Sequence, residues 1–187
     1  DVYKRQDLHG FGCKIYAYDK YENEAVKQFA EYADLSVIYE KCDLITLHMP
    51  LSEDNFHIID ASAMKNMKDG VVIINTARGS LIDTKALIEA LESGKVGAAG
   101  LDVIEDELGM YYYNRKSDIL SKRDLYVLRG FPNVIVTPHM AFYTDQAVSD
   151  MVKHSIESCI LREAGKKDPW AVSYTHLRAH ETSAHLV

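Results

Sequence analysis

The chain has 187 residues, 47% of them hydrophobic and 26% charged, with a formal net charge of −7. That is the composition of an ordinary globular protein with one sizeable core. Aspartate and glutamate outnumber lysine and arginine by 28 to 21, which argues against a nucleic-acid surface, and no apolar run approaches the about 20 residues a membrane span needs.

In chain order, apolar strand-like runs alternate with helix-like ones. The segment "DLHGFG" (7–12) reads as the end of a helix terminated by Gly10 and Gly12. "GFGCKI" (10–15) is not a phosphate-binding GxGxxG, because Ile15 stands at the third glycine position and the run enters a strand. "KIYAY" (14–18) predicts a strand leading to Asp19, and "NEAVKQFAEYA" (23–33) has helical spacing. "CDLITLHMP" (42–50) is a strand stopped by Pro50, "ASAMKNMK" (61–68) a short helix, and "VVIIN" (71–75) a strand expected to be buried on both faces. "DTKALIEALESG" (83–94) starts on Asp83 as N-cap and ends on Gly94. "VGAAGLDVI" (96–104) and "NVIVTPH" (133–139) are further strands, and a long amphipathic run extends from about Asp145 to Ala164.

This alternation predicts an α/β fold, a Rossmann-like parallel sheet with helices on both faces. If Asp19 is the acid that holds a cofactor ribose, it should follow a glycine fingerprint by about 20 residues. Only 18 residues precede it, so the sheet is expected to be truncated before the second strand of the dinucleotide-binding unit. The ends "DVYKRQ" and "SYTHLRAHET" resemble translated adapter sequence. The expected organisation is a non-native leader over 1–6, an incomplete NAD-binding domain over 7–144, a C-terminal helix over 145–172 and a non-native tail over 173–187. His176 and His180 have the i, i+4 spacing of a helical metal site, but no third ligand is placed by pattern and no metal is expected. Cys13, Cys42 and Cys159 form no CxxC pair; they read as packing thiols of a reducing, cytoplasmic protein.

Several strand ends present polar groups, as the ligand-binding edge of a parallel sheet does. Asp19 can accept both ribose hydroxyls and would repel a 2′-phosphate, which favours NAD; the alternative is a turn aspartate. "HMP" (48–50) offers backbone to line a cleft. Arg78 has the planar fork that suits a carboxylate, the alternative being a structural ion pair. Asp102 ends a small-residue strand and is followed by Glu105, Asp106 and Glu107; the first two of these read as a solvated acidic loop. His139 follows the last strand and is singled out by its company, since an arginine, a glutamate and a histidine each lie just past a strand of one sheet.

"NTARGSLIDTKALIEALESGKVGAAGLDVIEDE" and "PNVIVTPHMAFYT" closely resemble the D-isomer-specific 2-hydroxyacid dehydrogenases, from about Leu8 to Gly165. The Tyr-rich segment between Glu107 and His139 and the "AFYT" after it resemble the D-lactate dehydrogenase branch. The resemblance implies that Arg78 binds the substrate carboxylate, that His139 donates the proton to the keto oxygen, and that Glu107 pairs with His139. A carboxylate within hydrogen-bond reach favours the imidazolium form. It also implies that Asp19, Met49, Pro50, Asn55, Thr76, Ala77, Arg78 and Asp102 line an NAD cleft, and that Phe142 and Tyr143 help contact the substrate. The implied activity is NADH-dependent reduction of pyruvate, or of a close 2-keto acid, by a homodimer. An NAD-sensing corepressor-like binding module is the alternative, and the fragment alone is expected to be inactive.

Overall fold

The computed structural model describes residues 8–111 and 122–170. The proposed leader, the proposed tail with His176 and His180, and part of the Tyr-rich segment lie outside these residues. Contacts divide the chain into two compact units, Asp1–Ala141 and Phe142–Val187.

In the first unit, residues 8–10 are helical and the helix ends at Gly12. Gly12 N–H donates to the His9 carbonyl and Cys13 N–H to that of Leu8. This double bond pattern demands a left-handed residue, supplied by Gly12 at φ 75°. Next come β1 (Tyr16–Ala17), α1 (Glu24–Lys27), β2 (Glu31–Tyr32), α2 (Leu35–Lys41), β3 (Leu44–Leu47), α3 (Ala61–Lys65), β4 (Val71–Asn75), α4 (Thr84–Glu92), β5 (Val96–Leu101), α5 (Arg123–Gly130) and β6 (Val134–Val136). Short 3-10 turns occupy Glu53–Asn55 and Gly79–Leu81.

All described strand pairs are parallel. They form a two-stranded sheet, β1-β2, and a four-stranded sheet in the order β3-β4-β5-β6. Because β3 to β6 run the same way, their C-terminal ends share one edge. On β4, Val71, Ile73 and Asn75 are buried while Val72 and Ile74 are half-buried, so the strand has one fully buried face where the sequence predicts two. Helices α3, α4 and α5 pack side by side, with α4 against β5 and α5 against β6. Leu81, Leu87 and Leu128 fill the core with Ile73 and Val96. The α4 boundaries follow the caps: the Asp83 carboxylate accepts from Lys85 and Ala86 N–H, and Gly94 lies just beyond the C-cap Ser93.

Three further expectations change. The helix predicted over 23–33 stops at Lys27, and its second half becomes β2. The reason is backbone pairing: Glu31 N–H donates to the Ile15 carbonyl and Ala33 N–H to that of Ala17, and this tertiary ladder overrides local spacing. Helices α2 and α5 fall in stretches where no helix is predicted. The thiols are not all packing groups, for Cys13 and Cys159 are exposed and only Cys42 packs against the core. Burial pushes the Cys42 thiol upward from its ordinary range.

The second unit contains α6 (Asp145–Glu163), started by the Thr144 side chain accepting from Ala147 N–H. None of its residues is buried, and Val152, Ile156 and Ile160 are exposed. Among the described residues no helix is long and apolar enough to cross a membrane.

Candidate active site

The loops after β4, β5 and β6 carry Arg78, Glu107 and His139; buried Asn75 at the end of β4 shapes the first, and buried Asp102 just past β5 shapes the third. Asn75 closes β4 and is fully buried. Its side-chain oxygen accepts from Ala77 N–H at 3.0 Å, and its amide donates to the Arg78 carbonyl at 2.8 Å. The turn Thr76–Arg78 is thereby locked around an internal hydrogen-bonded amide. Arg78 itself is exposed, with Nη1 donating to the Ala77 carbonyl at 2.7 Å. No ion pair to Arg78 occurs among the described residues. Sequence reading misses Asn75; the signal is a polar amide ending an otherwise apolar core strand.

Gly79 brings this loop against the next one. A Cβ there would lie 2.1 Å from the Ile104 carbonyl carbon and oxygen and 2.6 Å from Glu105 N. Only glycine permits so close a backbone approach.

Past β5, Asp102 is buried, with 4% of its surface exposed. Its carboxylate accepts from the Thr137 hydroxyl, from Met140 N–H at 2.7 Å and from Ala141 N–H at 2.8 Å. Its backbone carbonyl accepts from His139 N–H at 2.8 Å. His139 is therefore held in a left-handed conformation, φ 52°, that a non-glycine residue adopts at a cost. Burial would push the Asp102 carboxyl upward, but these hydrogen bonds, with the nearby His139 ring, hold it below the usual carboxylate range.

Glu107 completes the arrangement. One carboxylate oxygen lies 2.7 Å from His139 Nδ1, and the other accepts from Ile104 N–H at 3.1 Å. An ionised carboxylate only accepts, so Nδ1 carries the proton. The reading of Glu105 as a solvated loop residue is overturned: it lies 2.6 Å from His57 Nε2 and accepts from Thr84 N–H at 2.8 Å. Asp106, between the two glutamates, is exposed.

The expected cofactor residues fall at strand ends and in the loop after β3. Asp19 is exposed beyond β1, with Oδ1 accepting from Tyr21 N–H at 3.0 Å. Met49 packs against the core and Pro50 is exposed. Asn55 ties the loop together, donating to the Pro50 carbonyl at 2.8 Å and accepting from Ser52 N–H at 2.7 Å. Thr76 and Ala77 are half-buried beside Arg78. The chemistry of this set fits a dinucleotide, with an exposed carboxylate suited to ribose hydroxyls beyond β1 of the two-stranded sheet and ordered loop backbone at the C-terminal edge of the four-stranded one. Phe142 and Tyr143 belong to the second unit, where their rings meet edge to face at 6.1 Å. No group of three or more possible metal ligands occurs among the described residues.

A sequence profile described as "D-isomer specific 2-hydroxyacid dehydrogenase, NAD binding domain" matches residues 4–141. The chain is 50% identical over 149 residues to an aromatic 2-oxoacid reductase of Clostridium sporogenes, covering 79% of this chain and 45% of the relative. It is 42% identical over 159 residues to a D-lactate dehydrogenase of Lactiplantibacillus plantarum, covering 84% and 46%. The crystal structure of D-lactate dehydrogenase with NAD+ from Lactobacillus jensenii superposes with a TM-score of 0.84 at 35% identity, covering 92% of this chain and 52% of that one. The chain spans about half the length of the curated relatives it matches.

Proposed function

The chain belongs to the D-isomer-specific 2-hydroxyacid dehydrogenase family, matching its NAD-binding domain, and from that premise we propose that it serves NADH-dependent reduction of a 2-keto acid to the D-2-hydroxy acid, with pyruvate giving D-lactate. The supporting observation is the Glu107–His139 pair at 2.7 Å, in the loops after β5 and β6 of the sheet whose β4 leads to Arg78.

In this reading Arg78 binds the substrate carboxylate through its two parallel donors and polarises the keto group. His139 gives its Nε2 proton to the keto oxygen as negative charge develops there. Glu107, accepting at Nδ1, fixes the ring's tautomer and orientation. Asp102 shapes the turn that holds His139. NADH, when bound, supplies the hydride. Asp19 would accept the ribose hydroxyls, and Met49, Pro50, Asn55, Thr76, Ala77 and Asp102 would form the wall of the cleft. A cytoplasmic homodimer belongs to the same reading by family analogy.

A second substrate reading rests on the 50% identity to the Clostridium sporogenes aromatic 2-oxoacid reductase: the keto acid is aromatic. One experiment tests both. The NAD-binding domain of this chain is set into the framework of the Lactiplantibacillus plantarum relative and, separately, of the Clostridium sporogenes one. NADH oxidation is followed with pyruvate and with phenylpyruvate. Turnover by either chimera supports the reductase and the better substrate ranks the readings. NAD binding with no turnover in either would favour a binding module.

A further inference from the structure

His57 has no part in the mechanism above, yet three segments meet on it. Its ring lies 2.6 Å from Glu105 through Nε2 and 4.0 Å from the Asp83 carboxylate through Nδ1. Phe56 stacks on the ring at 3.9 Å. Its backbone N–H donates to the Ser80 carbonyl, and Ile59 N–H to that of Leu81, so the segment after Pro50 pairs with the loop that follows Arg78. His57 is also left-handed, φ 52°, a conformation that persists only where the surroundings hold it.

Glu105 transmits this anchorage. Its second oxygen accepts from Thr84 N–H at the start of α4, so one oxygen is engaged by the His57 segment and the other by α4. The chain then turns through Asp106, φ 53°, and the next residue is Glu107, whose carboxylate faces His139. The two glutamates thus sit at opposite ends of one tight turn, one gripping the scaffold and one gripping the imidazole. Gly79 presses the Arg78 loop against the same turn at Ile104 and Glu105.

We propose that His57 is a positioning residue: by holding Glu105 it fixes the Ile104–Glu107 turn and so keeps the Glu107 carboxylate on His139 Nδ1. The proposal rests on the reading of Glu107–His139 as the working pair, and its test separates the two. The 187-residue chain is labelled with 15N-histidine, and exchange of the His139 Nδ1 proton is measured by NMR at one fixed pH. Glu107→Gln is the control for the pair and should speed exchange; no change there would overturn the pair itself. With the pair established, His57→Ala should speed exchange about tenfold, the scale of a weakened hydrogen bond to a charged group. His57→Gln, whose side-chain amide can still donate to Glu105, should restore it. If His57→Ala does not fold, Glu105→Gln replaces it and should also speed exchange. Unchanged exchange in whichever of these two variants folds, or failure of His57→Gln to restore it, overturns the proposal.

Discussion

Glu107 and His139, 32 residues apart in sequence, meet at 2.7 Å between a carboxylate oxygen and Nδ1. The contact joins the turn after β5 to the turn after β6, and both turns are shaped by residues that touch neither ring nitrogen. The glutamate turn rests on Glu105 and the close approach of Gly79; the histidine turn rests on Asp102. Precision at the imidazole is therefore a property of hydrogen-bonded backbone at the edge of a rigid sheet.

Asp102→Asn should loosen the histidine turn. The carboxylate receives two backbone N–H groups and a hydroxyl, and an amide replaces one of its oxygens with a donor that meets a donor. The expected loss is about 1–3 kcal/mol, read as a lower midpoint in urea unfolding. A midpoint equal to that of the parent would refute the role given to Asp102.

The same carboxylate predicts a pH effect. Its folded value is held below the unfolded value of about 3.9, so its contribution to stability is complete above that pH. It is lost as pH falls through the lower folded value. Stability measured from pH 5 downward should therefore decline less steeply in Asp102→Asn than in the parent. Parallel curves would contradict this assignment.

Gly79→Ala should be strongly destabilising. The added methyl would stand 2.1 Å from the Ile104 carbonyl, where backbone has to move. Overpacking of this kind costs about 1–3 kcal/mol or more, and the displaced turn carries Glu107. A thermal melt showing the parent's Tm would mean that the two loops part easily.

Asn75→Ala should unlock the Arg78 loop. It removes the acceptor for Ala77 N–H and the donor to the Arg78 carbonyl at a position with no surface exposed. The expected cost is about 1–3 kcal/mol for polar groups left unpaired. In a chimeric enzyme the KM for the keto acid should rise more than kcat falls, because Arg78 is the carboxylate anchor. An unaltered KM would detach Asn75 from that anchor.

Much of this was legible in the sequence. The run Val71–Asn75 reads as a core strand from composition alone, and Asp83 and Gly94 announce both ends of α4. Arg78, Glu107 and His139 can be singled out because each follows a strand. What sequence spacing does not carry is partnership over distance. Glu105 looks like one acid among several until His57, 48 residues earlier, is seen beside it. The segment 28–33 keeps helical spacing, yet Ile15 and Ala17 offer it a parallel ladder and the strand wins. Asn75 hides as the last letter of an apolar run; only its complete burial reveals that it shapes the Arg78 turn.

The proposed function makes Arg78, Glu107 and His139 the working centre of a 2-keto acid reductase. The most direct measurement is pyruvate-dependent NADH oxidation by the Lactiplantibacillus plantarum chimera carrying this domain, compared with its His139→Ala variant. The parent chimera should turn over and the variant should lose about 10²–10⁴-fold in kcat, the contribution of a general acid, while still binding NADH. Equal rates in the two proteins would contradict the role given to His139.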